Sequence, residues 1–195
     1  MDELDLADWR ERVARLYLSD VDLAGFRAGR DELFATHPQS PIPADRRPAF
    51  DGLRYFRPDP AAVAEADLRP AGGSIEIDTG GPDGVVRYRG VGAAETPYGR
   101  LTVWWIEAYG GGLFLPFRDA TCGVESYGGG RYLTDTVKGT HGRGLTMLGG
   151  SRVRLDFNYA YNPSCAYDDD YACPLAPREN WLDTGIRAGE MAHVT

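Results

Sequence analysis

Two stretches concentrate the side chains that chemistry needs: FRDATCGVESYGGGRYL, 117–133, and LDFNYAYNPSCAYDDDYACPLAPREN, 155–180. In the first, the glycines leave backbone amides unobstructed, and Arg131 offers a fork of donors suited to a carboxylate or a phosphate. Anion binding by Tyr127, Gly128, Gly129, Arg131 and Tyr132 is one expectation. The other is a plain turn ahead of a strand starting at Arg131, since neither a phosphate-loop lysine pattern nor a dinucleotide fingerprint is present. In the second stretch, Asp156 and Asn158 alternate with Leu155 and Phe157, so on a strand they would share one face. Such a face inside an enclosed sheet forms a ligand cavity; outside, it is merely wet.

Nucleophilic and metal chemistry find less support. Cys122 lies beside Asp119 and Glu125, and neighbouring acids raise a thiol's pKa, so it is expected to be a small packed residue. No GxSxG elbow occurs, and of the three histidines His141, in KGTHGRG, is the best candidate for proton transfer. Cys165 and Cys173 are too widely spaced for a usual zinc chelate and have no second pair. An oxidisable thiol pair and simple burial are the other readings, and burial is preferred. The run Asp168–Asp170 lacks the D-x-D-x-D-G spacing of a calcium loop and reads as a solvated turn. With no complete fingerprint for any cofactor, none is expected.

These residues must be positioned by a mainly β framework. Trp9, Val13, Leu16 and Tyr17 recur at helical spacing among charged residues, predicting an amphipathic helix capped near Asp8. Phe26, Arg30, Leu33 and Phe34 predict a second, weaker one, with Ser19 or Asp20 as its cap. The prolines of HPQSPIPADRRP should make 37–48 an extended linker. Short runs then recur at 53–56, 62–68, 74–78, 85–91, 101–109, 113–117 and 152–158, separated by hairpin signals such as TGGPDG and GGG. The fold class expected is α+β, mainly β: N-terminal helices, then an antiparallel meander forming a rolled, barrel-like sheet or a sandwich. One domain over 1–195 is expected, divided into a helical segment 1–36, the linker 37–48 and a β-rich body 49–195.

The net charge of −8 would repel phosphate backbones and anionic headgroups, so nucleic acid and membrane surfaces are not expected partners. A small-molecule ligand is expected, and a homodimer through an exposed Trp9, Val13 and Leu16 face is a further option. The start of the chain lacks the pattern of a secretory signal, and a cytoplasmic location with reduced cysteines follows as an expectation. Lysine occurs once, at Lys138, while arginine is spread along the chain.

The ordered blocks SPIP, FDGLRYF, FLPFRDATCG, YGGGRYL, LDFNYAYNPSCAY, CPLAPRENWL and IRAGE resemble the bacterial and archaeal family catalogued as domain of unknown function 1684. The resemblance runs from about Trp9 to Glu190 and carries no reaction with it. It implies importance for Asp119, Tyr127, Gly128, Gly129, Arg131, Tyr132, Asp156, Asn158, Tyr161, Asn162, Cys165, Cys173, Glu179, Asn180 and Glu190. Cys122 departs from the serine expected there.

Polar residues of this kind are costly to bury unless they bond to one another. In one expectation, Arg131, Asp156, Asn158 and Tyr161 line a pocket that binds a polar or anionic small molecule, with Asp119 and Asn162 among the ligand-binding positions. Asp156, Glu179, Glu190 and His141 are then the candidate acids and bases. In the other, the same residues form a structural network in which Arg131 pairs with Asp156, and Asn158 and Asn162 stitch the NPSCAY loop to its neighbours.

Overall fold

The computed structural model describes residues 2–78 and 84–193. Two helices, α1 (Asp2–Leu18) and α2 (Leu23–Thr36), precede eight strands. α1 begins well before Asp8, whose carboxylate serves instead as a partner for Arg12 and His37. The cap of α2 is Asp22, two residues beyond the expected Asp20; its Oδ1 accepts from the Gly25 amide at 2.8 Å and satisfies an otherwise orphaned helix N–H. The helices close on each other through edge-to-face contact of Tyr17 with Phe26 at 4.9 Å.

The strands are β1 (Val63–Asp67), β2 (Ser74–Asp78), β3 (Val85–Thr96), β4 (Gly99–Ile106), β5 (Leu113–Phe117), β6 (Arg131–Asp135), β7 (Leu145–Gly149) and β8 (Arg152–Asp156). Strands β2 to β6 form a five-stranded antiparallel meander in chain order, and β1, β8 and β7 form a second, three-stranded sheet. Of the two expected forms the sandwich-like one is found, without a closed barrel. β2 pairs with β3 as the TGGPDG signal implied, Asp78 opposite Val85, although residues 79–83 of that turn lie outside the described residues. β7 was not foreseen because LTMLG does not alternate: only Leu145 is buried. The 53–56 run forms no strand, and its one ladder contact is a bridge from Tyr55 to Glu190.

Alternation puts one face of the meander against the smaller sheet and the other against the helices. Leu101, Val103, Leu115, Phe117 and Leu133 pack with Leu145, Val153, Leu155 and Phe157 between the sheets. Trp104, Phe114 and Tyr132, on the opposite face, pack with Val13, Tyr17 and Phe26 of the helices. The apolar face of α1 is thus used within the chain: Val13 is buried, and Trp9 and Leu16 are half-buried against the core. The proline-rich 37–48 stretch also differs from an extended linker. Ser40 and Ile42 are buried, and Arg47 gathers the carbonyls of Pro38, Ser40 and Ile42.

YGGGRY is a turn into β6, with the Gly130 amide donating to the Tyr127 carbonyl at 3.1 Å. Its geometry demands glycine most strictly at Gly130; a Cβ at Gly129 would meet side chains only, the Tyr127 ring at 2.5 Å and Leu175 at 3.0 Å. Gly130 has φ +94°, and a Cβ there would lie 2.5 Å from the Phe117 carbonyl oxygen, whereas one at Gly128 meets nothing nearer than 3.8 Å. Gly130→Ala should therefore cost more than about 2 kcal/mol from backbone strain alone. Gly128→Ala should cost under about 1 kcal/mol. Urea denaturation of the two variants checks this, and equal losses would contradict the assignment.

Candidate functional site

Two polar centres lie inside the molecule, and the segment Ile186–Glu190 touches both. At the first, Arg131 is 0% exposed and pairs with Asp119 at 2.8 Å, not with Asp156. Its two terminal nitrogens also reach the carbonyls of Ile186 at 2.8 Å, Ala188 at 2.5 Å and Glu190 at 3.1 Å, while its Nε is buried without a partner. Asp119 also accepts from the Ile186 amide at 2.9 Å and from the Thr121 amide and hydroxyl. Burial pulls the guanidinium's pKa down and Asp119 opposes it. With four bonds from its terminal nitrogens, three of them to this segment, the buried guanidinium is a clasp for the C-terminal segment.

The second centre is the Glu190 carboxylate. It accepts from Arg30 Nη2 at 3.0 Å, from the Asn162 amide at 3.0 Å and from the Tyr167 hydroxyl. Burial pushes its carboxyl up, against the pull of Arg30. Arg30, on the buried stripe of α2, also donates through Nε to the Tyr55 hydroxyl at 3.2 Å and lies over the rings of Phe34 and Tyr161.

Beside this pair is a cavity of about 70 Å³, walled by Trp9, Val13, Leu16, Tyr17, Arg30, Leu33 and Phe34 from the helices and by Tyr132, Thr140, Tyr161, Asn162 and Tyr167 from the body. Such a space holds a few waters or the head of a small molecule, less than half of the roughly 150 Å³ that takes a benzene ring. Two of the residues that wall it carry a buried polar atom without a partner. The Tyr17 hydroxyl, in a side chain 2% exposed, has the Arg30 guanidinium beside it but no hydrogen bond of normal geometry. The Oδ1 of Asn162, which is 3% exposed, is likewise unpaired while its Nδ2 donates to the Met191 carbonyl at 2.8 Å. Burial pushes the Tyr17 phenol up to about 12, so it remains a donor at neutral pH. Tyr161 is bonded to Thr140 at 2.9 Å, and Lys138 stands exposed at the rim.

The expected site residues therefore divide. Tyr132, Tyr161 and Asn162 line the cavity, and Glu190 stands behind it, holding Arg30. Asp119 and Arg131 form the separate clasp. Asp156 ends β8 and so shares no strand face with Asn158; it caps a 3-10 turn, Phe157–Tyr159, accepting from the Asn158 amide, and pairs with Arg154 at 2.9 Å. It borders another cleft, of about 420 Å³, with Arg143 and Tyr159. Asn158 clamps both backbone groups of Asp59 at 2.8 Å, which sets the entry to β1 rather than the NPSCAY loop. Glu179 is exposed in a third cleft near Thr102 and Trp104. His141 is half-buried in the loop after Lys138, outside the cavity wall. Tyr127 donates to the Cys165 sulfur at 3.6 Å, and Gly128 and Gly129 belong to the turn. Among the described residues no three His, Cys, Asp or Glu side chains gather as a metal site.

Sequence reasoning missed Arg30, Tyr17 and Arg143. The signal for Arg30 was present: a charged residue in register with Phe26, Leu33 and Phe34 sits on the apolar stripe of a helix. Arg143 donates to the carbonyls of Tyr17, Ser19 and Val21, closing the C-terminal end of α1. Nothing in KGTHGRG marks that role.

A family model described as "Protein of unknown function (DUF1684)" matches residues 48–191. The chain belongs to this family. Among solved structures, it is similar to the solution NMR structure of the uncharacterized protein from gene locus rrnAC0354 of Haloarcula marismortui. The two are 37% identical over 98% of this chain and 97% of that chain, with a TM-score of 0.58. No curated protein matches. The DUF1684 match takes in the clasp and Glu190 but begins after both helices, so Arg30 and the helical wall of the cavity lie before the matched span.

Removing Arg131 strands Asp119 and the carbonyls of the C-terminal segment in a dry interior. Arg131→Ala should lower stability by about 3–5 kcal/mol. A urea midpoint close to that of the unaltered protein would show that the clasp does not hold the fold.

Proposed function

We propose that the chain binds a small polar molecule in the cavity between the helices and β6. The ligand's buried head both donates and accepts a hydrogen bond, as an amide or an alcohol does, and its apolar body extends towards the rim. The observation that carries this is the pair of unpartnered atoms, Tyr17 Oη and Asn162 Oδ1, on two residues that line one cavity. A buried polar atom left without a partner costs on the order of 1–3 kcal/mol, which a bound head group or ordered water would recover.

The walls supply the rest. Trp9, Phe34, Tyr132, Tyr161 and Tyr167 are suited to a flat apolar body. The charge of Arg30 is answered by Glu190, which disfavours a second anion at the buried end. Lys138 has no ion pair among the described residues and favours an anionic substituent at the rim. Glu190 has three donors on its two oxygens, so its supported role is to seat Arg30 rather than to move a proton.

Benzamide is a suitable first probe, followed by two-dimensional NMR of the Asn162 side-chain amide. The expected affinity is in the millimolar range, about −4 kcal/mol. Tyr17→Phe should weaken it about fivefold, the worth of one hydrogen bond, and Leu16→Trp, which fills the cavity, should abolish it. If benzamide, phenol and cyclohexanol all leave the cavity signals unmoved, the proposal fails.

A further inference from the structure

Behind the wall that Pro163 and Ser164 contribute to the cavity lies a second reactive feature, independent of ligand binding there. Cys165 and Cys173 are both reduced, and the amide of Cys165 donates to the Cys173 sulfur at 3.4 Å. Tyr127 donates its hydroxyl to the Cys165 sulfur at 3.6 Å. The segment after Cys173 is anchored by the Tyr132 hydroxyl, which donates to the Pro174 carbonyl at 2.5 Å. The two sulfurs thus sit at opposite ends of one short loop, each engaged by a donor, with the far end fixed to the sheet.

We propose that Cys165 and Cys173 form a dithiol site that reacts with hydrogen peroxide or a small alkyl hydroperoxide, with Cys173 as the attacking sulfur and Cys165 as the resolving one. In the first step the Cys173 thiolate attacks the terminal peroxide oxygen. The O–O bond breaks, a sulfenic acid forms on Cys173, and the departing alkoxide or hydroxide takes a proton from solvent. In the second, the Cys165 sulfur attacks the Cys173 sulfur; the S–O bond breaks and water leaves with the Cys165 proton. Two thiols lose two electrons to become a disulfide, and the hydroperoxide gains them to become an alcohol and water, or two waters from hydrogen peroxide.

The division of labour follows from the surroundings. The neighbouring Cys165 thiol, with the Ser164 and Cys165 amides and the charge of Lys138, lowers Cys173 to about 6, although burial opposes this. Cys165 is shifted the other way and stays a thiol until attack. Tyr127, Tyr132 and Tyr171, which also interact with Cys173, are all raised by burial and therefore neutral at pH 7. A thiolate of this kind is the nucleophilic form of cysteine. Cys173 is only 9% exposed, which favours an oxidant of a few atoms over a bulky disulfide.

The test is intact-mass spectrometry of the reduced, full-length protein during hydrogen peroxide treatment. The unaltered protein should lose two hydrogen masses, with a peptide map linking Cys165 to Cys173, and Cys122→Ser should behave identically. Cys165→Ser should instead gain one oxygen on Cys173 that dimedone traps, and Cys173→Ser should react at least about tenfold more slowly. The rate should rise through about pH 6 and level off above it, following the Cys173 thiolate. Oxidation confined to Cys122, oxygen addition without a disulfide in the unaltered protein, or a rate still climbing near the ordinary thiol pKa of about 8.5 would each overturn the proposal. The unaltered protein alone decides the first two, so a variant that folds poorly leaves the test intact.

Discussion

The molecule depends on two guanidinium groups holding the segment Ile186–Glu190 inside. Arg131 grips its carbonyls from the sandwich side, and Arg30 takes the Glu190 carboxylate from the helical side. Neither charge is exposed, and a buried charge is tolerated only when nearly every polar atom around it is bonded. Arginine suits both places because its planar fork spreads one charge over several donors in fixed directions, which a lysine ammonium cannot do. Three backbone carbonyls and a carboxylate oxygen around Arg131 match the two terminal nitrogens of that fork, and only its Nε is left over. A C-terminal segment without regular strand pairing is thereby made part of the core.

Asparagine does comparable work where the β-ladder gives out. β4 and β5 pair at Trp104–Phe114 and Trp105–Leu113. Beyond that, Pro116 has no amide to offer, and the side chain of Asn180 fills in, bonding the amide and carbonyl of Thr102 and the carbonyl of Pro116 at 2.7–2.9 Å. Asn158 does the same for Asp59 ahead of β1. Both are buried amides whose donors and acceptors are matched within the chain, a structural use that needs no ligand. Asn162 differs, because one of its oxygens is left over.

That contrast explains what could be read from the chain beforehand. The meander was legible, since SIEID alternates and glycine-rich turns separate the runs; so were the two helices, from their period. Long-range pairing was not. Arg131 stands 12 residues after Asp119 and 55 or more before the carbonyls it holds. Local spacing carries no trace of such contacts, and by composition Asp156 was as good a partner as Asp119. β7 was missed for a related reason: with one buried residue it has no inward face to betray it. The cavity escaped because half of it is helix, and Tyr17 and Arg30 look from sequence like members of packing stripes.

Glu190 joins the two halves of the structure through one residue. Its carbonyl belongs to the Arg131 clasp and its carboxylate to the Arg30 centre, while its amide donates to the Ala160 carbonyl at 2.9 Å. Any motion that pulled Arg30 and α2 away from the cavity would have to break the carboxylate bonds or drag the segment that Arg131 grips. Opening of the cavity is therefore tied to loosening of the sandwich edge, and a molecule that fills it stabilises both by mass action. A cavity wall anchored in this way favours a pre-formed site over one assembled on binding, because the bonds that shape the wall are also bonds that hold the fold.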